Sequence, residues 1–213
     1  MATVNIWSKV QVAVQTVLAA TKTITAITKA SPPVCSCTAH GYTTGQEVKL
    51  VVNGMIELNN AVVKVTNVTT DSFSLDGIDS TLFNTFTSGT GQLVTFGASA
   101  ATFQDVNASG GEAADIDITT IHDDTTKLIP GVKSALAYSF GSLWDPADAA
   151  LVELKKADNV KGTRAVKLTF ASGARVLFDC YPTVSLAPGG STGGPVTTPV
   201  SFKLTGPVFA YST

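Results

Sequence analysis

Four groups of side chains in this sequence have types and spacings that can do chemistry. Cys35 and Cys37 stand one residue apart with His40 just behind, three donors that suit a zinc ion. His122-Asp123-Asp124 sets an imidazole beside two carboxylates, as in an oriented base. Asp115-x-Asp117, with Asp123 and Asp124, offers oxygen ligands to a divalent cation. Gly189-Gly190-Ser191-Thr192-Gly193-Gly194 is rich enough in glycine to wrap a phosphate. Each group lacks something its chemistry needs. No second cysteine pair follows Cys37, and strand alternation puts both sulfurs on one face, where free cysteine acts as a small apolar residue. No nucleophile in a recognisable setting accompanies His122, which reads as part of a polar loop. The aspartates do not follow calcium-hand spacing and read as a solvated acidic patch. A phosphate cradle needs a helix start and usually a lysine after the glycines, but Pro195 and a strand follow, so the run reads as a hairpin loop. Trp7 and Trp144 read as packing anchors. No catalytic residue, metal site or cofactor is therefore expected.

Composition narrows the classes further. Of 213 residues, 44% are apolar and only 14% are charged, below the usual quarter of a soluble domain. A chain with this little charge and no apolar run of about 18 residues is expected to hide surface in an oligomer. Three cysteines make no disulfide framework, and the first residues show no secretory pattern, so folding in a reducing cytoplasm is expected. The net charge of −2 is unevenly spread. Asp105, Glu112, Asp115, Asp117, Asp123 and Asp124 fall within residues 105–124, which contain no lysine or arginine. Such a stretch is unsuited to gripping phosphate.

The elements that would position these residues are mostly strands. Val10, Val12 and Val14 alternate along 9–18. Further extended runs are expected at 24–29, 34–38, 47–52, 61–68, 71–75 and 90–96, with a tight turn at Asn53-Gly54. Others are expected at 103–109, 113–120 and 132–140. One helix begins near Trp144, with Asp145 as N-cap, Pro146 in the first turn and Asp148 against the dipole. Its stripe is Ala147, Ala150, Leu151, Leu154 and Ala157. After Gly162 the period returns to two, giving strands at 166–170, 175–181, 183–186 and 196–204. Pro199 in the last implies an edge or a bulge. The fold class is mainly β: an antiparallel sandwich or barrel with one flanking α-helix and a second, smaller barrel.

Residues 30–95 resemble a small β-barrel found inserted in phage virion proteins, similar to the first catalytic-cysteine half domain of ubiquitin-activating enzymes. The likeness rests on Pro33-Val34, the Thr38-Ala39-His40-Gly41-Tyr42 turn, Gly54-Met55, Leu58-Asn59, Val65-Thr66-Asn67-Val68 and Phe73-Ser74-Leu75. It implies a decoration module without ubiquitin chemistry. Residues 1–29 and 96–213 resemble the tail tube proteins of long-tailed, non-contractile phages. There the order carries the likeness: Ile118-Thr119-Thr120, His122-Asp123, Ile129-Pro130-Gly131-Val132-Lys133, Trp144-Asp145, Phe178-Asp179-Cys180-Tyr181, then the strand to Leu204. The resemblance implies a virion subunit assembled in the host cytoplasm. It implies hexameric rings stacked into a tube through which DNA passes, meeting tape-measure and terminator proteins. On that reading part of this acidic cluster lines the lumen, the six carboxylates being its candidates, and Lys127, Pro130, Gly189, Gly190, Gly193 and Gly194 lie in candidate loops for stacking rings. The rival from another class is a glycan- or receptor-binding surface protein.

Overall fold

The structure is a computed structural model and describes residues 5–212. The strands are β1 (Gln11–Leu18), β2 (Lys22–Ile24), β3 (Ala26–Ile27), β4 (Val34–Ser36), β5 (Glu47–Asn53), β6 (Val62–Thr66), β7 (Ser72–Leu75) and β8 (Ser88–Ala100). After them come β9 (Phe103–Ser109), β10 (Ala113–Asp117), β11 (Leu128–Lys133) and β12 (Ala137–Leu143). The helix α1 (Ala149–Asn159) is followed by β13 (Arg164–Thr169), β14 (Arg175–Val184), β15 (Thr197–Leu204) and β16 (Phe209–Tyr211). The molecule is mainly antiparallel β with one α-helix, as the alternation predicts.

Two cores result. In the first, β4, β7, β6, β5 and β8 pair in that order, β3 pairs with β4, and β2 pairs with β8. Only Thr25 separates β2 from β3, so the strands run round a closed small barrel. Its inside is filled by Val48, Leu50 and Val52 of β5, with Cys35, Met55, Leu58, Val63, Val65, Phe73 and Leu75. Alternation is what puts Val48, Leu50 and Val52 on one side. In the second, β8 continues and pairs with β1, followed by β13, β14, β15, β12 and β9. β14 pairs with β13 from Arg175 to Cys180 and with β15 from Cys180 to Val184, so it passes from one layer of a sandwich to the other. Val12, Val14, Leu168, Phe178, Val200 and Phe202 fill that sandwich, and α1 adds Ala150, Leu151 and Leu154. β8 is the strand both cores share.

Several expectations need correction. The helix cap is Asp148, not Asp145. The Asp148 side chain accepts from the amides of Ala150 at 2.9 Å and Leu151 at 3.0 Å. The Asp145 carboxylate is taken by the Ala147 amide in the preceding turn. The run 132–140 is two strands, because Ser134 pairs with the 111–112 turn and the chain then leaves the hairpin. β11 starts at Leu128, inside the expected polar loop. Residues 183–184 continue β14 rather than opening a new strand. Pro199 lies one residue beyond the last β14 pair, where β15 has only β12 beside it, so the local edge it implies is present.

Candidate functional site

The chemistry-bearing groups sit in three different settings. Cys35, Cys37 and His40 are buried in the small barrel. The Tyr42 amide donates to His40 Nδ1 at 2.9 Å. Nε2 therefore carries the proton and faces the Ser72 carbonyl at 3.3 Å. The ring packs against Tyr42 and Phe73. Both imidazole nitrogens are thus used within the core. Burial pushes the Cys35 and Cys37 thiols up, and Cys180 in the sandwich likewise. Among the described residues no group of three or more His, Cys, Asp or Glu is placed to hold a metal ion.

His122 lies exposed in the 118–127 connection, and Asp123 does not orient it. The Asp123 carboxylate accepts from Lys127 Nζ and from the Thr120 amide and hydroxyl, both at 3.0 Å. Those bonds, Lys127 first, hold it below the usual carboxylate range. Asp117 is held low by the Thr119 hydroxyl and amide. The glycine run bridges β14 and β15. Gly189 and Thr197 exchange two backbone bonds of 2.8 Å, and Gly194 closes a turn onto Ser191. A strand follows it rather than a helix start. Trp144 staples the loop's start, its indole N–H donating to the Leu186 carbonyl at 2.8 Å.

The six carboxylates do not form one patch. Asp105 stands on β9, where its Oδ1 accepts from the Gly141 amide at 2.6 Å. A Cβ on Gly141 would come within 2.5 Å of that oxygen, so a side chain there would displace the carboxylate. Glu112, Asp115, Asp117, Asp123 and Asp124 belong to the segment of the β10–β11 hairpin, which among the described residues pairs with no other strand. Lys127 and Pro130 lie on the same hairpin, with Pro130 opposite Asp115.

Three features of this half of the molecule are unusual for a finished subunit. Among the described residues no strand lies beside the outer edge of β9. The hairpin carries exposed Ile116, Ile118, Ile121, Leu128, Ile129 and Val132, the last 90% exposed and Ile121 96%. The outward face of β14, β15, β12 and β9 is mostly polar. Register sets Thr183, Ser201, Ser139 and Asn107 in one row, and Tyr181, Lys203, Ala137 and Ser109 in the next. Alternation in the sequence sets Ile116 and Ile118 opposite Asp115 and Asp117, and such a face is expected to meet a core; in the structure it meets none, because the hairpin is a separate two-stranded sheet. The arrangement leaves a strand edge and an aliphatic hairpin uncovered.

Comparison with known proteins agrees. No curated protein matches the chain significantly. The family described as phage tail tube protein, TTP, matches residues 53–213, three quarters of the chain, and this chain is a member of it.

Proposed function

We propose that this chain forms hexameric rings that stack into the tail tube of a long-tailed, non-contractile phage and enclose the channel through which DNA leaves. The observation that carries the reading is the unpaired β9 edge beside a hairpin of exposed aliphatic side chains. An open strand edge templates pairing with another chain, and exposed aliphatic side chains on both faces of one hairpin gain from burial against a partner. Side-to-side joining uses the β9 edge. Head-to-tail stacking is a heterologous contact that grows without closing. It uses the hairpin with Lys127 and Pro130, and the loop with Gly189, Gly190, Gly193 and Gly194.

The lumen wall in this reading is the polar face of β9, β12, β15 and β14. Hydroxyl and amide groups there offer a phosphate no fixed cation except Lys203, so DNA slides. Asp105 belongs to that wall. Glu112, Asp115, Asp117, Asp123 and Asp124 reach the channel where rings meet. The residue 30–95 module decorates the tube, and tape-measure and terminator proteins meet its inside and its end. Electron microscopy of the purified protein tests the proposal. Rings or tubes with an open axis are expected. Dispersed monomers at high concentration would sink it, and sugar affinity of those monomers would favour a receptor-binding protein instead.

A further inference from the structure

The two cores meet across a buried ion pair. Lys49 of β5 and Asp179 of β14 lie 2.8 Å apart with side-chain exposures of 9% and 0%. Lys49 Nζ also donates to the Thr163 hydroxyl at 2.7 Å. Asp179 Oδ2 accepts from the Thr205 hydroxyl at 2.8 Å. Asp179 Oδ1 is buried with no hydrogen-bond partner. Around the pair lies a small apolar patch of Val62 from the barrel, Val94 from the shared strand, and Ala165, Leu177 and Tyr211 from the sandwich side. Glu47 adds a rim contact to Lys167 at 3.0 Å. The Tyr211 hydroxyl accepts from the Lys64 amide at 3.0 Å.

This is an odd way to glue two cores for strength. Taking both charges out of water carries a desolvation penalty that their attraction only partly repays, and an apolar pair of similar volume often holds as well. The unpartnered Oδ1 makes the pair worse still as a source of stability. What an ion pair supplies and an apolar pair does not is a single geometry, since sliding by one residue would strand both charges. The apolar patch alone is small, with no such directional preference. Backbone approaches point the same way. A Cβ on Gly206 would come within 2.4 Å of the Asn60 carbonyl, so the sandwich and the barrel touch closely on that side. The family match also begins at residue 53, inside the barrel, so β6, β7 and β8 belong to the matched span.

We propose that Lys49–Asp179 is a placement lock: it fixes the small barrel at one angle and register on the sandwich, at some expense of stability. The barrel is then an integral half of the subunit rather than a loosely tethered decoration, and identical subunits present it identically.

The test uses the full chain, thermal unfolding and native-state hydrogen exchange, and so does not depend on tube formation. Lys49→Met alone leaves a buried carboxylate without its cation and is expected to lose the cooperative melt of the parent. Lys49→Met combined with Asp179→Leu replaces the pair by apolar groups. It is expected to melt within about 3 °C of the parent, while the interface amide of Lys64, which donates to the Tyr211 hydroxyl across the contact, exchanges faster by about tenfold or more. The amide of Val65, bonded inside the barrel to the Gln46 carbonyl, should keep its protection. Unchanged exchange at Lys64 would overturn the proposal, because the apolar patch would then place the barrel by itself. A double variant that fails to fold or melts far below the parent would also overturn it, making the pair a source of stability. So would parental melting of Lys49→Met alone.

Discussion

The small barrel and the sandwich are built from the same materials and finished differently. The barrel closes: β2 and β3 complete the circle, Phe83 and Phe86 from the 77–87 loop lie against its core, and even its histidine is bonded on both nitrogens. The sandwich stays open, with a bare β9 edge, a hairpin outside its core and a shallow cleft of about 150 Å³ between Trp7, Val10, Phe103 and Phe140. Closure removes the edge that would otherwise recruit a neighbour. In the proposed tube, the contrast marks where the rest of the assembly would attach. A subunit destined to polymerise leaves unfinished the surfaces its copies will finish.

The comparison breaks most visibly in the cores. Phe73→Ala in the barrel and Phe178→Ala in the sandwich each remove a fully buried ring. Each should cost about 3–5 kcal/mol, read as a shift in denaturant midpoint. Because β8 runs through both cores, unfolding should remain one transition in either variant. Two separated transitions would show that barrel and sandwich fold independently, against the shared-strand account.

A smaller effect lies at the helix start. Asp148 caps α1 with one oxygen, while the other accepts from the Ala101 amide at 2.9 Å and the Thr102 hydroxyl at 3.3 Å, at the corner where β8 gives way to β9. Asp148→Ala should lower stability by about 2 kcal/mol, the upper end for a lost cap, because the corner loses its acceptor too. Asp145→Ala, the cap expected from the sequence, should change stability by less than about 0.5 kcal/mol. Thermal melts of the two variants decide between them. Equal losses would return Asp145 to the role of cap.

These two aspartates show what was legible in the chain. Period-two valines gave β1, β5 and β15 away, Asn53-Gly54 marked the end of β5 although a 3-10 turn rather than a tight hairpin follows, and Ala150, Leu151, Leu154 and Ala157 of the stripe marked the buried face of α1, while Ala147 lies before the helix and is exposed. Those signals are local, so one strand or one helix suffices to read them. The cap failed because Asp145-Pro146 and Asp148 both satisfy the local rule, and only the Ala101 and Thr102 contacts, some 47 residues away, choose between them. β8 was read too short because Gly97, Ala98, Ser99 and Ala100 carry little contrast in hydrophobicity, although they extend the pleat. β16 was missed after the Gly206-Pro207 break. Lys49 and Asp179 are 130 positions apart, beyond any periodicity, and Lys49 sits on a strand whose alternation assigns it to solvent. The candidate site was half visible for a related reason. Carboxylates stand out by charge, whereas an unpaired edge is a property of the sheet order and has no residue signature.

Alkali offers a gentler probe of how the barrel meets the sandwich. Burial pushes the Tyr211 hydroxyl from 10.0 up to about 12, partly offset by the Lys64 amide that donates to it. Tyr42 and Tyr138 are pushed up by burial as well. The folded state thus disfavours the phenolates that the unfolded chain forms near its ordinary value. Their contribution is fully present below about pH 10 and declines as pH rises through 10 toward 12. Urea midpoints at pH 8, 10 and 11 should fall in that order, and Tyr211→Phe should flatten the fall. A midpoint that rises with pH in this window would reverse the sign.

The hairpin should have the least effect on the fold and thereby separates folding from assembly. Ile121→Ser and Val132→Ser change side chains that are 96% and 90% exposed and belong to neither core. Exposed positions away from special backbone features shift stability by about 0.5 kcal/mol or less. In the isolated subunit a serine there is better hydrated than the aliphatic group it replaces, so solubility should rise. Ring stacking would bury those groups, so the same substitutions should shorten or abolish tubes seen by electron microscopy while melting stays parental. Deleting 188–194 should behave alike, since those residues are exposed and only the Gly189–Thr197 bridge ties the loop back. The two variants differ in what they leave behind. The serine variants keep the whole backbone, so their failure would be assigned to lost apolar contact, whereas the deletion also removes the loop's reach. Normal tubes from both would move the stacking contact elsewhere, to the β9 edge or the barrel. The openness of the sandwich would then need another partner to explain it.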